Sequence, residues 1–293
     1  MEAWSRIAKN GLDFWICNPL LEHCGAEALF TTRKGGTSIG PWDSLNVSAK
    51  TGDRVADVNA NLQALMTALS IDPGSVRGVQ QVHGVEIVNP GAEVYPTVSP
   101  GADAIFDREG RHVLVTVHGD CAPVYLAAAG NPALLLMHAG WRGTAAGITR
   151  RGVALFTREI NCSVKDLYAA IGPCIHECCY EVGTEVAQAF ADCLGNRCRE
   201  ALQVVPTPAA GALTARTAQA AGDKHRLNLA RANRVILEQA GIAPERIFEN
   251  RLCTACHGSD FFSHRRDGGQ TGRMMAILRR TEVSKREEGR SLL

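Results

Sequence analysis

The chain has 293 residues, of which 45% are hydrophobic and 21% are charged, and its formal net charge is +1. This composition is typical of a globular protein with a sizeable core, and the near-zero charge excludes broad electrostatic binding to nucleic acid or membranes. The sequence has no apolar run of the roughly 20 residues that a spanning helix needs and no secretory signal, so we expect a cytoplasmic protein.

The first third of the chain predicts edge strands, a loop, a helix and a half-buried strand. Short strands lead up to Phe30, and the loop at 31–38 places Arg33 beside two glycines and several hydroxyl groups. Such a loop can hold a phosphate, although a solvated hairpin tip is the favoured interpretation. Apolar residues on one face predict a helix from about Val55 to Leu69. The alternating segment 76–88, which carries His83, predicts a strand.

The centre of the chain predicts three buried strands that end in polar side chains. The apolar runs at 113–117, 124–129 and 133–137 are those strands. Cys121 precedes the second strand, and His138 directly follows the third. Neither side chain is needed for packing. Alternation along a strand predicts that Met137 points away from His138, into the core.

The last part of the chain alternates between helices and strands, which indicates an α+β protein with mixed sheets packed against helices. We predict a single domain over residues 1–280, with an exposed excursion at 205–223 and a frayed tail at 281–293. The predicted helices are about 145–160, 181–194 and 227–240, and the predicted strands are 167–171, 247–250 and 274–278.

The chain has eleven cysteines, and this odd number without an export signal argues against a disulfide framework. We interpret five of them as small buried hydrophobes, namely Cys17, Cys24, Cys162, Cys193 and Cys198. Cys253 and Cys256 have the Cys-x-x-Cys spacing of a redox motif or of half a zinc ribbon. No matching pair stands at ribbon distance, so a structural or occasionally oxidised pair is the favoured interpretation.

His83, Cys121 and His138 form a candidate metal site. Two imidazoles and one thiolate are a common ligand set for catalytic zinc, which keeps a fourth position open for water or substrate. Their wide separation in sequence suits ligands brought together by neighbouring strands. Copper accepts the same donors. The alternative is a cysteine nucleophile, Cys121, activated by His138 and the adjacent Asp120.

Arg142 follows the candidate ligand His138 closely and lies at the start of a predicted helix. Helix N-termini attract anions, and the arginine fork binds phosphate or carboxylate. A structural ion pair is an equally good interpretation. The position next to His138 favours a functional role.

Six motifs in this order resemble the YfiH-like laccase-domain family, also called the polyphenol oxidase or peptidoglycan editing factor family. The resemblance covers about residues 29–278 and implies an α/β sandwich related to the catalytic domain of cytotoxic necrotizing factor. The motifs are Gln-Val-His-Gly (81–84), Asp-Cys-Ala-Pro-Val (120–124), His-Ala-Gly-Trp-Arg-Gly-Thr (138–144), Ile-Gly-Pro-Cys-Ile (171–175), Cys-Tyr-Glu-Val-Gly (179–183) and Phe-Phe-Ser-His-Arg-Arg-Asp-Gly (261–268).

The resemblance implies that His83, Cys121 and His138 are zinc ligands. It implies phosphorolysis of adenosine, inosine, guanosine and methylthioadenosine, together with deamination of adenosine. Older naming implies a copper laccase that oxidises phenols, and a proposed cellular role is the quality control of peptidoglycan precursors. Arg33 and Asn46 fall in family segments that imply contact with substrate, and Arg33 is the better candidate for phosphate.

The roles of Asp120 and Arg142 follow from their neighbours. Asp120 is the expected proton shuttle, or else the carboxylate that orients a zinc-bound histidine. Arg142, with Arg33, is expected to hold phosphate. The family usually has Thr-Ala before the Asp-Cys pair where this chain has His118 and Gly119, so His118 could compete as a ligand. His264 replaces a usual tyrosine, which we expect to be a milder change.

Overall fold

The computed structural model describes residues 2–98, 101–204 and 224–281. The predicted excursion at 205–223 and all but the first residue of the predicted tail lie outside these ranges. Within them, two six-stranded mixed sheets face each other, with helices on both outer faces. None of the helices in the described part of the chain is long and apolar enough to cross a membrane.

The first sheet contains the two chain ends that the structure describes. Its strand order is β1-β2-β3-β15-β7-β4, antiparallel throughout except for the parallel pair β4 and β7. The strands are β1 (Trp4–Lys9), β2 (Leu12–Cys17), β3 (Ala26–Thr31), β4 (Val76–Gly78), β7 (Val113–His118) and β15 (Met274–Arg280).

The second sheet forms the centre of the molecule. Its order is β14-β10-β8-β9-β6-β5, with parallel pairs at both edges and antiparallel pairs between them. The strands are β5 (Ile87–Val88), β6 (Ala104–Asp107), β8 (Ala122–Ala128), β9 (Leu134–Ala139), β10 (Leu167–Ile171) and β14 (Ile247–Glu249).

Six α-helices and a small third sheet complete the described part of the chain. The helices are α1 (Asn18–Cys24), α2 (Val55–Ala68), α3 (Trp141–Ala145), α4 (Ile148–Ile160), α5 (Thr184–Leu194) and α6 (Leu229–Gln239). The third sheet has the order β11-β13-β12, formed by β11 (Glu181–Val182), β12 (Leu202–Val204) and β13 (His225–Leu227).

Strand alternation sorts the apolar side chains into three buried layers. In β8, Val124 and Leu126 pack against α4 and α6, whereas Tyr125 packs against the first sheet. The outer face of the first sheet packs against α2. In β9, Met137 lies in the layer beneath the helices, as predicted, so alternation turns His138 towards the space between the two sheets.

The structure confirms the three central strands to within two residues at each end and corrects two predicted elements. The segment 76–88 is not one strand, because only β4 and β5 form at its ends. His83 lies in the loop between them with φ +60°. The predicted helix at 145–160 is divided into α3 and α4, because Gly147 adopts φ +92° at the junction. Both corrections reflect backbone turns that apolar periodicity does not encode.

Tyr125 connects the two large sheets by a hydrogen bond. Its hydroxyl donates to the carbonyl of Leu29 in β3 at 2.9 Å, and the side chain is fully buried. Tyr125→Phe should lower the free energy of unfolding by about 1 kcal/mol, because the carbonyl loses a buried donor.

Tyr168→Phe is the matched control. Tyr168 is half-buried against His23 and Phe248, and no hydrogen bond of its hydroxyl is found in the described part of the chain. Urea denaturation should show a much smaller change for this variant. Equal losses for the two variants would show that the hydroxyl of Tyr125 does not stabilise the contact between the sheets.

Candidate metal centre

The loop that carries His83 is held by the carboxylate of Asp103. The backbone N–H groups of Val82, His83 and Gly84 all donate to this carboxylate, at 3.2, 3.0 and 2.6 Å. Asp103 directly precedes β6 and is fully buried. Three donors on one buried carboxylate fix the turn in which His83 adopts its positive φ, and the imidazole remains exposed.

Asp103 also orients His138. The backbone N–H of His138 donates to the carbonyl of Asp103 at 2.7 Å, and its Nδ1 lies 2.8 Å from the carboxylate. A carboxylate accepts, so Nδ1 carries the proton and Nε2 is left with its lone pair. One aspartate therefore sets the position of both histidines. Sequence reasoning missed Asp103, although a single carboxylate within the apolar run 102–106 was a usable signal.

Cys121 enters the site from the turn between β7 and β8. Asp120 in this turn has φ +117°. The next residues pair with β9, with Pro123 opposite His138 and Ala122 opposite Ala139. This register brings the start of β8 beside the end of β9, so the thiol of Cys121 approaches the imidazole of His138.

The ligand atoms of His83, Cys121 and His138 all lie within 4.8 Å of one another. The two imidazole ring centroids are 5.0 Å apart. Glycine at position 140 keeps the space beside these side chains open, because a Cβ there would lie 2.9 Å from Nδ1 of His83 and 3.0 Å from Sγ of Cys121. The structure therefore brings together the three predicted ligands, and two imidazoles with one thiol suit zinc or copper.

The electrostatics of the group favour the thiolate that a metal ion requires. Burial opposes ionisation of Cys121, but His138 and His83 outweigh it and lower the pKa of the thiol to about 6. Burial likewise opposes protonation of His138, but the Cys121 and Asp103 side chains raise its pKa to about 9. Without a metal ion the two residues therefore form a thiolate–imidazolium pair at neutral pH, and a metal ion bound to Nε2 of His138 would displace that proton.

His118 lies next to the candidate ligands without joining them. Its ring centroid is 5.2 Å from that of His138. Its Nδ1 lies 3.0 Å from the carbonyl of Cys121, and its Nε2 lies 2.8 Å from the hydroxyl of Thr116. Burial, with the nearby His138, lowers the pKa of His118 well below its usual value. The ring is therefore neutral with both nitrogens engaged, so the expected competition for metal does not arise.

Asp120 is an anchor for neighbouring segments rather than the carboxylate that orients His138. One carboxylate oxygen accepts a hydrogen bond from the hydroxyl of Thr254 at 2.6 Å, and the other accepts from the N–H of Arg265 at 2.7 Å. Burial raises the pKa of Asp120, and the Thr254 and Arg265 hydrogen bonds only partly offset this. The orienting role at His138 belongs to Asp103 instead.

Asn46 and Arg33, the two N-terminal residues expected to contact substrate, differ in how deeply their side chains are buried. Asn46 is fully buried, and its amide bonds Asp53 and Thr51 while its oxygen accepts from the N–H of Arg273. In this structure the contacts of Asn46 are thus internal, and its contact with substrate stays a prediction. Arg33 is half-buried over the ring of Phe262, with Nε donating to the carbonyl of Asp43 at 2.7 Å.

Two further arginines offer positive charge. Arg142 is exposed on the short helix α3, with its guanidinium 4.3 Å from the ring centre of Trp141. It lines an open cleft of about 560 Å³ between α3 and α5. Arg273, which sequence reasoning missed, packs against Gly119, where a Cβ would lie 3.2 Å from its Nη1. Within the described residues, no carboxylate lies within ion-pairing distance of either guanidinium.

Comparisons with known proteins agree with the resemblance in sequence. The family described as "Multi-copper polyphenol oxidoreductase laccase" matches residues 27–281. The purine nucleoside phosphorylase YlmD of Geobacillus stearothermophilus is 36% identical over 265 residues, which cover 88% of this chain and 91% of that protein. The purine nucleoside phosphorylase YfiH of Escherichia coli K12 is 32% identical, with 87% and 93% covered.

The fold is shared with a solved relative. The crystal structure of YlmD from Geobacillus stearothermophilus matches with a TM-score of 0.81 at 33% identity, and the match covers 96% of this chain and 99% of that one. The mixed-sheet α/β sandwich is thus common to both chains.

Asp103→Asn tests the orienting carboxylate. We expect a loss of metal affinity of about 10–100-fold, because the carboxylate that holds the His138 tautomer is replaced. Titration with a competing chelator measures it.

Asp107→Asn is a matched control at the other end of β6. Asp107 is also buried and its carboxylate lies 3.0 Å from Nδ1 of His112, outside the metal group. This variant should keep its metal affinity. A similar loss in both variants would refute the role assigned to Asp103.

Proposed function

Because the chain belongs to the multi-copper polyphenol oxidoreductase laccase family, we propose that it is a zinc-dependent purine nucleoside enzyme. The proposed reactions are phosphorolysis of adenosine, inosine, guanosine and methylthioadenosine, and deamination of adenosine. The observation that carries the proposal is that His83, Cys121 and His138 converge, with His138 oriented by the carboxylate of Asp103. A cytoplasmic location, a link to peptidoglycan precursor quality control and a relation to cytotoxic necrotizing factor remain predictions.

Zinc is the metal that the donor set supports best. Three protein ligands leave one position for water or substrate, as in catalytic zinc sites. A zinc ion held there would lower the pKa of its bound water to about 7 and so supply hydroxide at neutral pH. The absence of a side chain at Gly140 leaves space next to the ligand atoms of His83 and Cys121.

For deamination, water replaces the exocyclic amino group of adenosine, giving inosine and ammonia. A proton must reach the leaving nitrogen, and we assign Asp120 as its carrier. Burial raises the pKa of this carboxyl above its usual value, which favours the protonated form that a proton donor needs. The Thr254 and Arg265 hydrogen bonds fix its position beside Cys121.

For phosphorolysis, a phosphate oxygen bonds to the ribose carbon while the carbon–nitrogen bond to the purine breaks, giving the free base and ribose 1-phosphate. The phosphate needs fixed positive charge. Arg142 and Arg33 are the candidates from sequence, and Arg273 joins them because it is half-buried beside the Gly119–Cys121 turn. The side chains of Arg33 and Arg273 each donate two hydrogen bonds to backbone carbonyls of the protein, whereas none from Arg142 is found in the described residues.

A cysteine-nucleophile hydrolase is the second candidate. The alignment of Cys121, His138 and Asp103 supports it, since a thiolate beside an imidazole that is oriented by a carboxylate is the usual arrangement of such enzymes. Copper laccase chemistry finds less support. Within the described residues, the one group of potential ligands that contains histidine has two imidazoles, whereas a laccase needs several copper centres.

Cys121→Ala tests the proposed enzyme. The variant should lose zinc together with phosphorolysis and deamination, because both depend on the same ion. Elemental analysis and chromatographic assay of adenosine with phosphate measure the three properties. Phosphorolysis that persists after the zinc is lost would contradict the proposal, and activity that survives complete zinc removal from the wild type would favour the cysteine nucleophile.

Cys162→Ser is the control for Cys121→Ala, because Cys162 lies just after α4 and outside the group formed by His83, Cys121 and His138. It should keep zinc and both activities.

Arg142→Gln and Arg273→Gln test phosphate binding. Each should raise the KM for phosphate by about 10-fold or more, because a hydrogen bond to a charged group contributes about 1.5–3 kcal/mol. Neither should change zinc content or the deamination rate, since deamination uses no phosphate. Arg151→Gln, at an exposed position of α4, is the control. A KM unchanged in both variants would remove these arginines from the phosphate site.

A further inference from the structure

A second group of potential ligands lies at the carboxyl ends of two parallel strands. β10 and β14 pair in parallel, with Ile171 opposite Glu249, and the chain segments that follow them stay side by side. Cys174 and Cys253 form an isolated parallel bridge, and the N–H of Thr254 donates to the carbonyl of Cys174 at 3.0 Å. This continued pairing brings the Cys178-Cys179 pair next to the Cys253-x-x-Cys256 pair.

The four thiols of Cys178, Cys179, Cys253 and Cys256 converge on one point. Their sulfur atoms all lie within 4.8 Å of one another. Sγ of Cys256 lies 3.3 Å from that of Cys178 and 3.4 Å from that of Cys179. These distances exceed the S–S bond of about 2.05 Å in a disulfide. They are somewhat shorter than the sulfur separation of about 3.8 Å that four Zn–S bonds of about 2.3 Å impose on a tetrahedral site, and no pair of the four sulfur atoms is more than 4.8 Å apart.

We propose that Cys178, Cys179, Cys253 and Cys256 bind a structural zinc ion, separate from the His83, Cys121 and His138 centre. Four thiolates complete the tetrahedral coordination, so no position remains for water or substrate, and the site is structural rather than catalytic. The sequence alone does not indicate this site. Cys178 and Cys179 are adjacent, and Cys253 and Cys256 lie too far downstream for the spacing of a zinc ribbon. Cys253 and Cys256, which the sequence indicates as a structural or occasionally oxidised pair, lie in one group with Cys178 and Cys179.

The surroundings suit an anionic tetrathiolate. The N–H of His176 points to Sγ of Cys253 at 3.5 Å, as backbone donors do towards metal-bound thiolates. Arg226 donates to the carbonyls of Glu177 and Cys178 at 3.2 and 2.9 Å. Its positive charge partly balances the two net negative charges of zinc with four thiolates. Cys178 and Cys256 are exposed, which gives the ion a path from solvent.

The second ion would stabilise the first site through Asp120. Thr254 lies between two of the four cysteines, and its hydroxyl donates to Asp120. The N–H of Ile175 donates to the carbonyl of Asp120 at 2.9 Å. Both cysteine segments are therefore bonded to the residue that precedes Cys121. A zinc ion that fixes the two cysteine segments would therefore also hold the turn that carries Cys121.

Zinc stoichiometry distinguishes the two sites. Protein saturated with zinc under reducing conditions and then desalted should hold two zinc ions per chain by elemental analysis. The double variant Cys178→Ser/Cys256→Ser should keep only the ion bound by His83, Cys121 and His138. Cys121→Ala should keep only the ion bound by the four cysteines. The double variant replaces two exposed side chains, so it buries no new hydroxyl. Cys162→Ser should keep both ions.

Two measurements do not depend on the folding of the double variant. Cobalt added to Cys121→Ala should give the intense sulfur-to-metal charge-transfer absorption of a tetrathiolate. In the zinc-loaded wild type, N-ethylmaleimide should spare Cys178 and Cys256 until a chelator is added, as mass spectrometry of the peptides would reveal. Cys198, which is partly exposed, should react equally before and after chelation.

A single zinc ion per saturated wild-type chain that is lost in Cys121→Ala would overturn the proposal, because no ion would then be bound at the four cysteines. So would a Cys178–Cys256 disulfide in that protein, or alkylation of both thiols before chelation. None of these outcomes bears on the zinc-dependent nucleoside chemistry proposed above, which the Cys121→Ala variant tests.

Discussion

The carboxylate of Asp103 is the constraint on which the candidate centre depends. It accepts three backbone hydrogen bonds from the loop of His83 and one from the ring of His138. Burial alone would raise its pKa, but the His138 hydrogen bond and the backbone donors outweigh burial and lower it. A fully buried charge is tolerated because every interaction that it makes is with a donor. Two segments far apart in sequence are thereby held at one point.

The position of the site follows from the way the two sheets meet. Apolar side chains fill the layer between them, and Tyr125 bridges it near the middle. His118 and His138 lie at the ends of β7 and β9, where alternation turns both rings into this layer and the apolar packing stops. Polar groups at this end hydrogen-bond one another. Both ring nitrogens of the buried His118 thus have hydrogen-bond partners, namely the hydroxyl of Thr116 and the carbonyl of Cys121. His118 therefore lies outside the group of candidate ligands.

Asp120 links the candidate catalytic centre to the four-thiol group. Its carboxylate joins the turn before Cys121 to Thr254 and to Arg265, which belong to segments that follow β14. A residue in this position is suited to two tasks, positioning the turn and carrying a proton. The family bears a laccase name, whereas the relatives from Geobacillus stearothermophilus and Escherichia coli are named purine nucleoside phosphorylases. The proposed function follows the second name, because His83, Cys121 and His138 offer ligands for a single metal ion.

The sequence by itself determined the strands and the chemistry at their ends. Continuous apolar runs identified β7, β8 and β9 because buried strands need them, and Cys121 and His138 stood out because packing did not require them. Only the tertiary structure decided which polar groups meet. Arg273 carries no local pattern, and neither the isolated carboxylate of Asp103 nor the Cys253-x-x-Cys256 spacing shows which groups these residues meet. Their contacts come from strand register and from loops that pair across long stretches of chain. For Asn46, the family position implied contact with substrate, and only the structure showed that its buried amide group makes its hydrogen bonds inside the protein.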